Sequence, residues 1–350
     1  MIQTTKRQQQ ILLIIAQWGV LQSSDIHARL EATGVQVSAV TIKRELSEMV
    51  KIGVLTVSGV GRSTSYNLTS VGRLFLVVDP HVYCAIDPDK RYGLESYNFY
   101  LFSSIPEDLF SEAELQTLEQ ASDVYKTNIQ NVPPTIAHKE LERLIIELSW
   151  KSSRIEGNTY SLLDTERLIR DNTPAAGHDL KESTMILNHK DAFMFIREHA
   201  EEYKTLNRVN LEELHKILIK DLSIPHGLRS KPVGVAGSKY RPLYNAYQIQ
   251  EAIEMLSRAV TQESNPYEKA LTALLGISYI QPFVDGNKRT SRLMANAILL
   301  AYGLAPLSYR SVDEDEYKEA MLVFYELNSL VPFKKIFVTQ YDFAARNYVI

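Results

Sequence analysis

The stretch of sequence that decides the fold is QPFVDGNKRTSR, at residues 281–292. An apolar pattern with helical spacing follows it and stops at Gly303, and this pattern predicts a helix that begins near Asn287. The apolar positions are Leu293, Ala297, Ile298 and Ala301. Because Asn is a favoured N-cap residue, we expect Asn287 to cap this helix.

Three cations, Lys288, Arg289 and Arg292, lie in the first turns of the predicted helix. A helix N-terminus is electropositive, so a cation there is unfavourable by roughly 0.3–1 kcal/mol unless an anion binds beside it. Asp285 and Gly286 lead into the helix and add a carboxylate that can hold a divalent metal and a glycine that permits a turn. With the free N–H groups of the first turn, these residues indicate a phosphate site. The alternative is a solvated helix start with clustered cations.

The order and spacing of these residues resemble the signature of the Fic (filamentation induced by cAMP) family, His-x-Phe-x-Asp/Glu-Gly-Asn-Gly/Lys-Arg-x-x-Arg. Only the first position differs in this chain. The resemblance implies a mainly α fold, an α-helical core with a flap β-hairpin, and transfer of AMP from ATP to a protein hydroxyl. It further implies that Asp285 holds Mg²⁺. The residues implied to bind the ATP phosphates are Gly286, Asn287, Lys288, Arg289 and Arg292.

Two segments upstream of the signature are also similar to parts of the family. Residues 211–222 have helical spacing, and residues 233–242 resemble the flap that docks a target protein by strand addition. We call residues 233–242 the flap segment. From its composition alone it could equally be an ordinary surface loop. The flap residues implied to dock the target are Val233, Gly234, Val235, Ala236, Gly237 and Tyr240.

A second charged residue is predicted at an unfavourable helix end. The helical pattern of residues 141–155 stops at Gly157, which places Glu156 at the electronegative end of that helix. Ser152, Glu156 and Gly157 resemble the family's inhibitory motif, Ser/Thr-x-x-x-Glu-Gly/Asn. The resemblance implies that Glu156 pairs with Arg292 in place of the ATP γ-phosphate. A solvated helix-end carboxylate is the alternative.

Residues 1–73 have the pattern of a winged helix-turn-helix domain, with helices at 8–17, 24–30 and 38–52 and strands at 54–57 and 63–68. In the third helix we expect Val40, Leu46, Met49 and Val50 to face the core. Lys43 and Arg44 would then face DNA, with Arg62 at the wing tip. The segment contains eight Lys/Arg and four Asp/Glu residues, a balance of +4, whereas the whole chain has −4. This asymmetry favours double-stranded DNA as a partner, and protein docking is the alternative.

The remaining segments are less informative. Residues 74–135 are interpreted as a connecting segment with strands up to 110 and a helix at 111–130, and residues 136–350 as the Fic domain with its inhibitory helix. Helical spacing at Tyr317, Met321, Phe324 and Tyr325 can close a core or form a homodimer face. One cysteine, Cys84, excludes an intrachain disulfide and favours the cytoplasm. No run is long enough to cross a membrane, and no histidine spacing indicates zinc.

Two departures from the family pattern bear on the activity. Gln281 replaces the histidine that serves as general base, and loss of a general base lowers a rate by about 10²–10⁴. Lys288 resembles the Doc branch of the family, which transfers the γ-phosphate. Three functions therefore remain: a weak adenylyltransferase acting on a protein target or on itself, a catalytically silent ATP-binding regulator with a DNA-binding module, and a Doc-like protein kinase.

Overall fold

The computed structural model describes residues 3–130 and 132–350, and the chain divides into two compact units. The first unit comprises residues up to Leu109, together with Gly234–Arg241 and Glu319–Lys334. The second comprises Phe110–Val233, Pro242–Lys318 and Lys335–Ile350. The secondary structure is mainly helical, as the sequence predicts. Domain boundaries after residues 73 and 135 stay predictions.

Three helices open the first unit, and short strands and helices follow them. In chain order the elements are α1 (Lys6–Trp18), β1 (Leu21–Gln22), α2 (Ser23–Ala32), α3 (Ala39–Lys51), β2 (Leu55–Ser58), β3 (Ser65–Leu68), α4 (Ser70–Leu74) and α5 (Pro80–Cys84). A side-chain cap begins α3, because Ser38 Oγ accepts a hydrogen bond from the Thr41 N–H at 3.2 Å. Helices α1, α2 and α3 correspond to the three predicted helices, and β2 and β3 correspond to the two predicted strands.

The three strands form one antiparallel sheet in the order β1-β3-β2. Leu21 pairs with Tyr66, and Leu55 pairs with Leu68. Strand β1 was not predicted, because two residues are too few to show the period-2 alternation of a strand.

Helix α3 buries one face in the core of this unit, formed by Ile42, Leu46 and Met49. The prediction that Val40 also faces the core is wrong, because its side chain is 78% exposed. Each residue of an α-helix turns by about 100°, so Val40 lies roughly 200° around the axis from Ile42. Val40 therefore shares the exposed face of α3.

Residues 74–110, all of which the structure describes, form helices and turns instead of the predicted strands. Pro80 is the first residue of α5, where Asp79 Oδ1 accepts from the Val82 N–H at 3.2 Å. Pro88 opens a 3₁₀ turn. Proline has no N–H for a strand ladder, and its fixed φ suits the first turn of a helix. The buried aromatic and apolar residues of this segment therefore lie on short helices and turns.

The flap segment does not form the predicted β-hairpin. Residues 234–241, which the structure describes throughout, contain a turn in which the Ser238 N–H donates to Val235 O at 3.1 Å. The Arg241 N–H donates to Glu95 O at 2.8 Å, with one isolated parallel bridge at this point. Backbone groups that bond to other segments do not need a cross-strand partner. This accounts for the missing hairpin.

A buried ion pair anchors the flap segment within the first unit. Arg91 Nη1 lies 3.3 Å from Glu326 Oε1, and the two side chains are 5% and 0% exposed. Arg91 Nη1 also donates to Gly237 O at 2.9 Å, and Glu326 Oε1 accepts from Ser238 Oγ at 2.7 Å. The hydroxyl of Tyr83 donates to Glu326 Oε2 at 2.7 Å. Both charges thus have hydrogen-bond partners within the protein.

The second unit is a set of helices. In chain order these are α6 (Glu112–Gln130), α7 (Pro134–Ile155), α8 (Leu162–Asp171), α9 (Leu180–Glu198), α10 (Arg208–Leu218), α11 (Ala246–Gln262), α12 (Pro266–Ile280) and α13 (Asn287–Ala301). Helices α14 (Glu314–Leu327) and α15 (Val331–Asn347) follow, each with residues in both units. The helix predicted at 111–130 is α6, and the one predicted at 211–222 is α10. The helical spacing at Tyr317, Met321, Phe324 and Tyr325 belongs to α14, where all four side chains are buried.

Helices α12 and α13 form the centre of the second unit. Every residue of α12 from Tyr267 to Ile280 is buried. Gly276 permits close packing there, because a Cβ at this position would lie 2.3 Å from Leu256 Cδ1. Among the helices of residues 3–130 and 132–350, none has both the length and the apolar character needed to cross a bilayer.

We predict that Arg91→Met lowers the free energy of unfolding by about 3–5 kcal/mol, because it leaves the Glu326 carboxylate buried without its cation. Urea unfolding followed by circular dichroism measures this change. Lys90→Met is the matched control: it removes the same charge from a neighbouring side chain that is 78% exposed. The control should stay within about 0.5 kcal/mol of the parent. Equal unfolding free energies for the two variants would contradict the anchoring role of the pair.

Candidate active site

The loop at residues 281–286 joins α12 to α13 and has left-handed backbone at both ends. Gln281 ends α12 with a φ of 51°, and Gly286 precedes α13 with a φ of 79°. Glycine adopts this conformation readily, but glutamine does so only when its surroundings hold it there. The loop is therefore tightly fixed at residue 281.

Arg229 fixes the conformation at Gln281. Its guanidinium, which is buried, donates through Nε to Gln281 O at 2.6 Å and through Nη2 to Ile280 O at 3.4 Å. The Arg229 N–H donates to Pro282 O at 3.0 Å. This positioning role was not predicted, because its partners are backbone carbonyls and leave no pattern of side chains in the sequence.

The Gln281 side chain is buried, and its Nε2 donates to Ser278 O at 2.6 Å. A carboxamide does not titrate near neutral pH. With the amide nitrogen engaged, Oε1 is the atom that can accept a hydrogen bond from a hydroxyl. Gln281 can therefore orient a nucleophile but cannot remove its proton.

Asn287 is the first residue of α13 and not its N-cap, so that prediction is wrong. Its Oδ1 accepts from the Phe283 N–H at 2.8 Å, and its Nδ2 donates to Phe283 O at 2.9 Å. The side chain closes the loop by bonding both backbone groups of one residue. Gly286 occupies the cap position, and in the described structure no side chain caps α13. The N–H groups of its first turn are thus available to an anion.

His215 of α10 contacts two residues of the loop at 281–286 and was not predicted as part of the site. Its Nε2 donates to Asp285 O at 2.9 Å, and its ring stacks on Phe283 with 3.6 Å between centroids and an angle of 6°. Burial lowers the pKa of His215 to about 4. The imidazole is therefore neutral near pH 7, and it acts as a hydrogen-bond donor to the loop backbone.

Arg289 offers a hydrogen-bond donor to a ligand. The side chain is 2% exposed, and Nη1 has no hydrogen-bond partner within the described residues. Nη2 lies 3.8 Å from Asp285 Oδ2. A buried donor left without a partner costs about 1–3 kcal/mol, and an anionic oxygen beside it would remove that cost. This observation fits a phosphate at the start of α13.

Arg292 is fully buried and is bonded through all three of its guanidinium nitrogens. Nε donates to Ser152 Oγ at 2.9 Å, Nη2 to Ser152 O at 2.8 Å, and Nη1 to Glu156 Oε1 at 2.9 Å. Ser152 O is one of the last carbonyls of α7, where helix geometry leaves acceptors unused. Arg292 therefore binds the end of α7 through charge and backbone together.

Glu156 receives a cation on each carboxylate oxygen. It caps the C-terminus of α7, and Gly157 follows with a φ of 94°. Lys288 Nζ lies 3.6 Å from Oε2, opposite the bond from Arg292 to Oε1. Burial alone would raise the pKa of Glu156, but Arg292 and Lys288 hold that pKa below its ordinary value. The carboxylate is thus ionised at neutral pH.

Asp285 can contribute to a magnesium site. Its side chain is 65% exposed, and Oδ1 accepts from the Gly286 N–H at 2.6 Å. Residues 3–130 and 132–350 contain no cluster of three or more His, Cys, Asp or Glu side chains that could hold a metal. Mg²⁺ commonly binds one or two carboxylates together with substrate phosphates and water. Asp285 beside a phosphate site fits that requirement.

The structure separates the predicted site residues into groups. Ser152, Glu156, Gly157, Gln281 and the residues of 285–292 lie in the second unit. The flap residues from Gly234 onward, including Tyr240, belong to the first unit, and Val233 to the second.

The predicted DNA-binding residues lie in the first unit, and all three are exposed. Lys43 and Arg44 lie on α3. Arg62 lies in the 3₁₀ turn Gly61–Ser63 between β2 and β3.

Part of the second unit is similar to known proteins. Residues 205–299 match the family model described as the Fic/DOC family. "Protein adenylyltransferase fic-1" of Caenorhabditis briggsae is 24% identical over 200 residues, 56% of this chain and 39% of that protein. "Protein adenylyltransferase Fic" of Nematostella vectensis is 26% identical over 184 residues, 49% of this chain and 41% of that protein. This chain thus spans about two fifths of the length of these relatives.

Solved structures show the same fold. Fic-1 (residues 134–508) of Caenorhabditis elegans superposes with a TM-score of 0.57 at 20% identity, covering 68% of this chain and 71% of that one. A Fic family protein from Desulfovibrio desulfuricans G20 also gives 0.57, at 21% identity over 69% of this chain and 75% of that one. The second unit therefore has the Fic fold, and the match to the Fic/DOC family model is at residues 205–299.

Proposed function

We propose that this Fic/DOC-domain protein is an adenylyltransferase that transfers AMP from ATP to a hydroxyl of a protein target or of itself, and that Glu156 inhibits it. The observation that carries the proposal is the Arg292–Glu156 bond at the start of α13, 2.9 Å long. A fully buried cation is engaged there by a carboxylate from a separate helix, next to free N–H groups and a buried, unpartnered Arg289 Nη1. These are the features of a phosphate site in which the Glu156 carboxylate takes the place of a phosphate.

The nucleotide would bind across the first turn of α13. The backbone N–H groups of Asn287 and Lys288 and the guanidinium of Arg289 would supply donors for phosphate oxygens, and the Asn287 side chain holds the loop in shape. Mg²⁺ at Asp285 would supply neutralisation of phosphate charge. Arg292 would bind the distal phosphate once Glu156 leaves it.

Glu156 and the γ-phosphate would then compete for one cation. Both are anions that accept from Arg292 Nη1, so binding of one excludes the other at that atom. Lys288 strengthens the closed state, because its ammonium lies 3.6 Å from the second carboxylate oxygen. In the closed state Glu156 also places an anion beside the electropositive start of α13, and the ATP phosphates would take over that role in the open state.

Transfer itself should be slow. Gln281 can hold the target hydroxyl through Oε1, but the proton has no titratable acceptor at that position, so we expect a rate about 10²–10⁴ lower than with a histidine there. Arg229 holds the Gln281 backbone, so a residue at 281 keeps a fixed position whatever its side chain. The loss of the general base is thus confined to the chemistry of a single side chain.

Two other functions have specific support. A catalytically silent ATP-binding regulator with a DNA-binding module is favoured by Gln281 and by the exposed Lys43 and Arg44 on α3. The winged-helix interpretation of this unit rests on three helices, an antiparallel sheet and a turn that exposes Arg62. A Doc-like protein kinase is favoured by Lys288. The pairing of Lys288 with Glu156 supports the adenylyltransferase more, because it gives Lys288 a role in the inhibited state.

We predict that Glu156→Gly binds Mg·ATP more tightly than the parent, because Arg292 then becomes available to the γ-phosphate. A coupling of about 1–3 kcal/mol corresponds to roughly 5- to 150-fold in affinity. Isothermal titration calorimetry measures it. Glu142→Gln, a carboxylate exchange earlier on α7, is the control and should leave the affinity unchanged. If Glu156→Gly binds Mg·ATP no better than the parent, Glu156 has no inhibitory role.

Gln281→His in the Glu156→Gly background should raise transfer of α-labelled AMP by about 10² or more, because histidine restores a general base. Histidine also tolerates the left-handed backbone at this position. Gln281→Asn is the control and should give no gain. A gain with γ-labelled ATP instead would establish the kinase. No transfer of either label, with Mg·ATP binding intact, would leave the silent regulator.

Binding of DNA by the first unit should depend steeply on salt. Contact with about four phosphates gives a slope of about −3.6 for log affinity against log salt, and Lys43→Ala with Arg44→Ala should flatten it by about 1.8. Electrophoretic retardation of duplexes from a genomic selection measures both. Lys216→Ala with Lys220→Ala, which removes two exposed cations of the second unit, should not change the slope. Binding that ignores salt, or no retarded duplex, would favour protein docking.

A further inference from the structure

The first turn of α14 begins with an acidic residue that contacts the end of α7. Asp313 Oδ1 accepts from the N–H groups of Asp315 and Glu316, both at 2.9 Å, which fixes the start of α14. Glu314 Oε1 then accepts from Lys151 Nζ at 3.0 Å and from Arg154 Nε at 2.8 Å. One carboxylate oxygen thus joins two cations of another helix.

These two cations lie on either side of Ser152, and both precede Glu156 in the last turn of α7. Lys151 precedes Ser152 directly, and Arg154 lies two residues before Glu156. Lys151 is 9% exposed, so its ammonium depends on Glu314 for a counter-charge. Both cations also lie near the Trp150 ring, at 5.4 and 5.7 Å from its centroid. The last turn of α7 is therefore held from outside by Glu314.

One turn further along α14, Tyr317 contacts Arg292, the cation to which Glu156 is bonded. Its hydroxyl lies 3.4 Å from Arg292 Nη1, and the guanidinium carbon of Arg292 lies 5.5 Å from the ring centroid. Residues three apart share one face of a helix. One face of α14 therefore makes both contacts. Glu314 binds α7, whose C-terminus is Glu156, and Tyr317 contacts Arg292, the cation to which Glu156 is bonded.

We propose that Glu314 is a positioning residue for inhibition, which holds the last turn of α7 so that Glu156 meets Arg292. This inference rests on the proposed inhibitory role of Glu156. The last turn of a helix frays readily, and Gly157, which follows Glu156, adds no stiffness. Without the charge on Glu314, Lys151 and Arg154 lose their shared anchor. Glu156 then spends less time on Arg292, and ATP displaces it more easily.

Glu314→Gln tests this, because it removes the charge and keeps the shape. We expect it to tighten Mg·ATP binding about three- to tenfold in calorimetry, less than Glu156→Gly does. In the Glu156→Gly background the same change should alter affinity by less than about twofold, since no inhibitory carboxylate remains to be positioned. Glu316→Gln is the matched control, an exposed carboxylate two residues along the same turn, and should behave as the parent.

The outcomes separate this inference from the function on which it rests. If Glu156→Gly tightens binding and Glu314→Gln does not, the positioning role is overturned and the inhibition stands. An equal gain from Glu314→Gln with and without Glu156 overturns it as well, because the effect would then bypass the inhibitory carboxylate. If neither variant binds Mg·ATP more tightly, the inhibition fails and the inference fails with it. Should Glu314→Gln not fold, Arg154→Gln removes the half-exposed donor and is judged by the same comparison.

Discussion

A fully buried guanidinium, that of Arg292, is the constraint on which the second unit depends. Removing a cation from water is strongly unfavourable unless an anion and well-aligned acceptors surround it. Ser152 supplies two acceptors and Glu156 supplies the anion, so α7 and α13 are joined by charge at the place where a phosphate would bind. The site can therefore exchange one anion for another, but it cannot stay without one at low cost.

This requirement links structure to regulation. An inhibitory carboxylate is effective only if it arrives in register, and the register is set by the end of a helix whose last turn would otherwise fray. Arg292 and Glu314 both bind that turn, so under the proposed inhibition the affinity for nucleotide also depends on Glu314, which lies outside the phosphate site. Under the proposed inhibition this coupling is reciprocal, because a change that loosens the turn strengthens ATP binding by the same free energy by which ATP binding loosens the turn.

The sequence was most informative where side chains of fixed order act together. Residues 285–292 and Glu156 were predicted together, because helix-end charges and motif spacing are visible in one dimension, and the structure brings Glu156 to Arg292 and Lys288. Arg229 and His215 were missed because they bind backbone carbonyls. The strands predicted in 74–110 were wrong because apolar and aromatic content does not distinguish a strand from turns packed on a core. The flap hairpin was wrong because backbone groups of the flap segment bond to other segments and within a turn. Asn287 was misplaced by one residue because a cap and a loop-closing side chain use the same amide chemistry.

The burial of α12 has a consequence for how the chain is made. Every residue of this helix from Tyr267 to Ile280 is buried. Helix α13, which packs against α12 after the loop at 281–286, is synthesised later. A nascent chain that has just completed α12 thus presents an apolar segment with its covering partner still inside the ribosome. Domains generally fold as units during synthesis, and surface exposed in this way attracts chaperones and other nascent chains. The loop at 281–286 therefore reaches its final conformation late, when α13 has covered the apolar surface of α12.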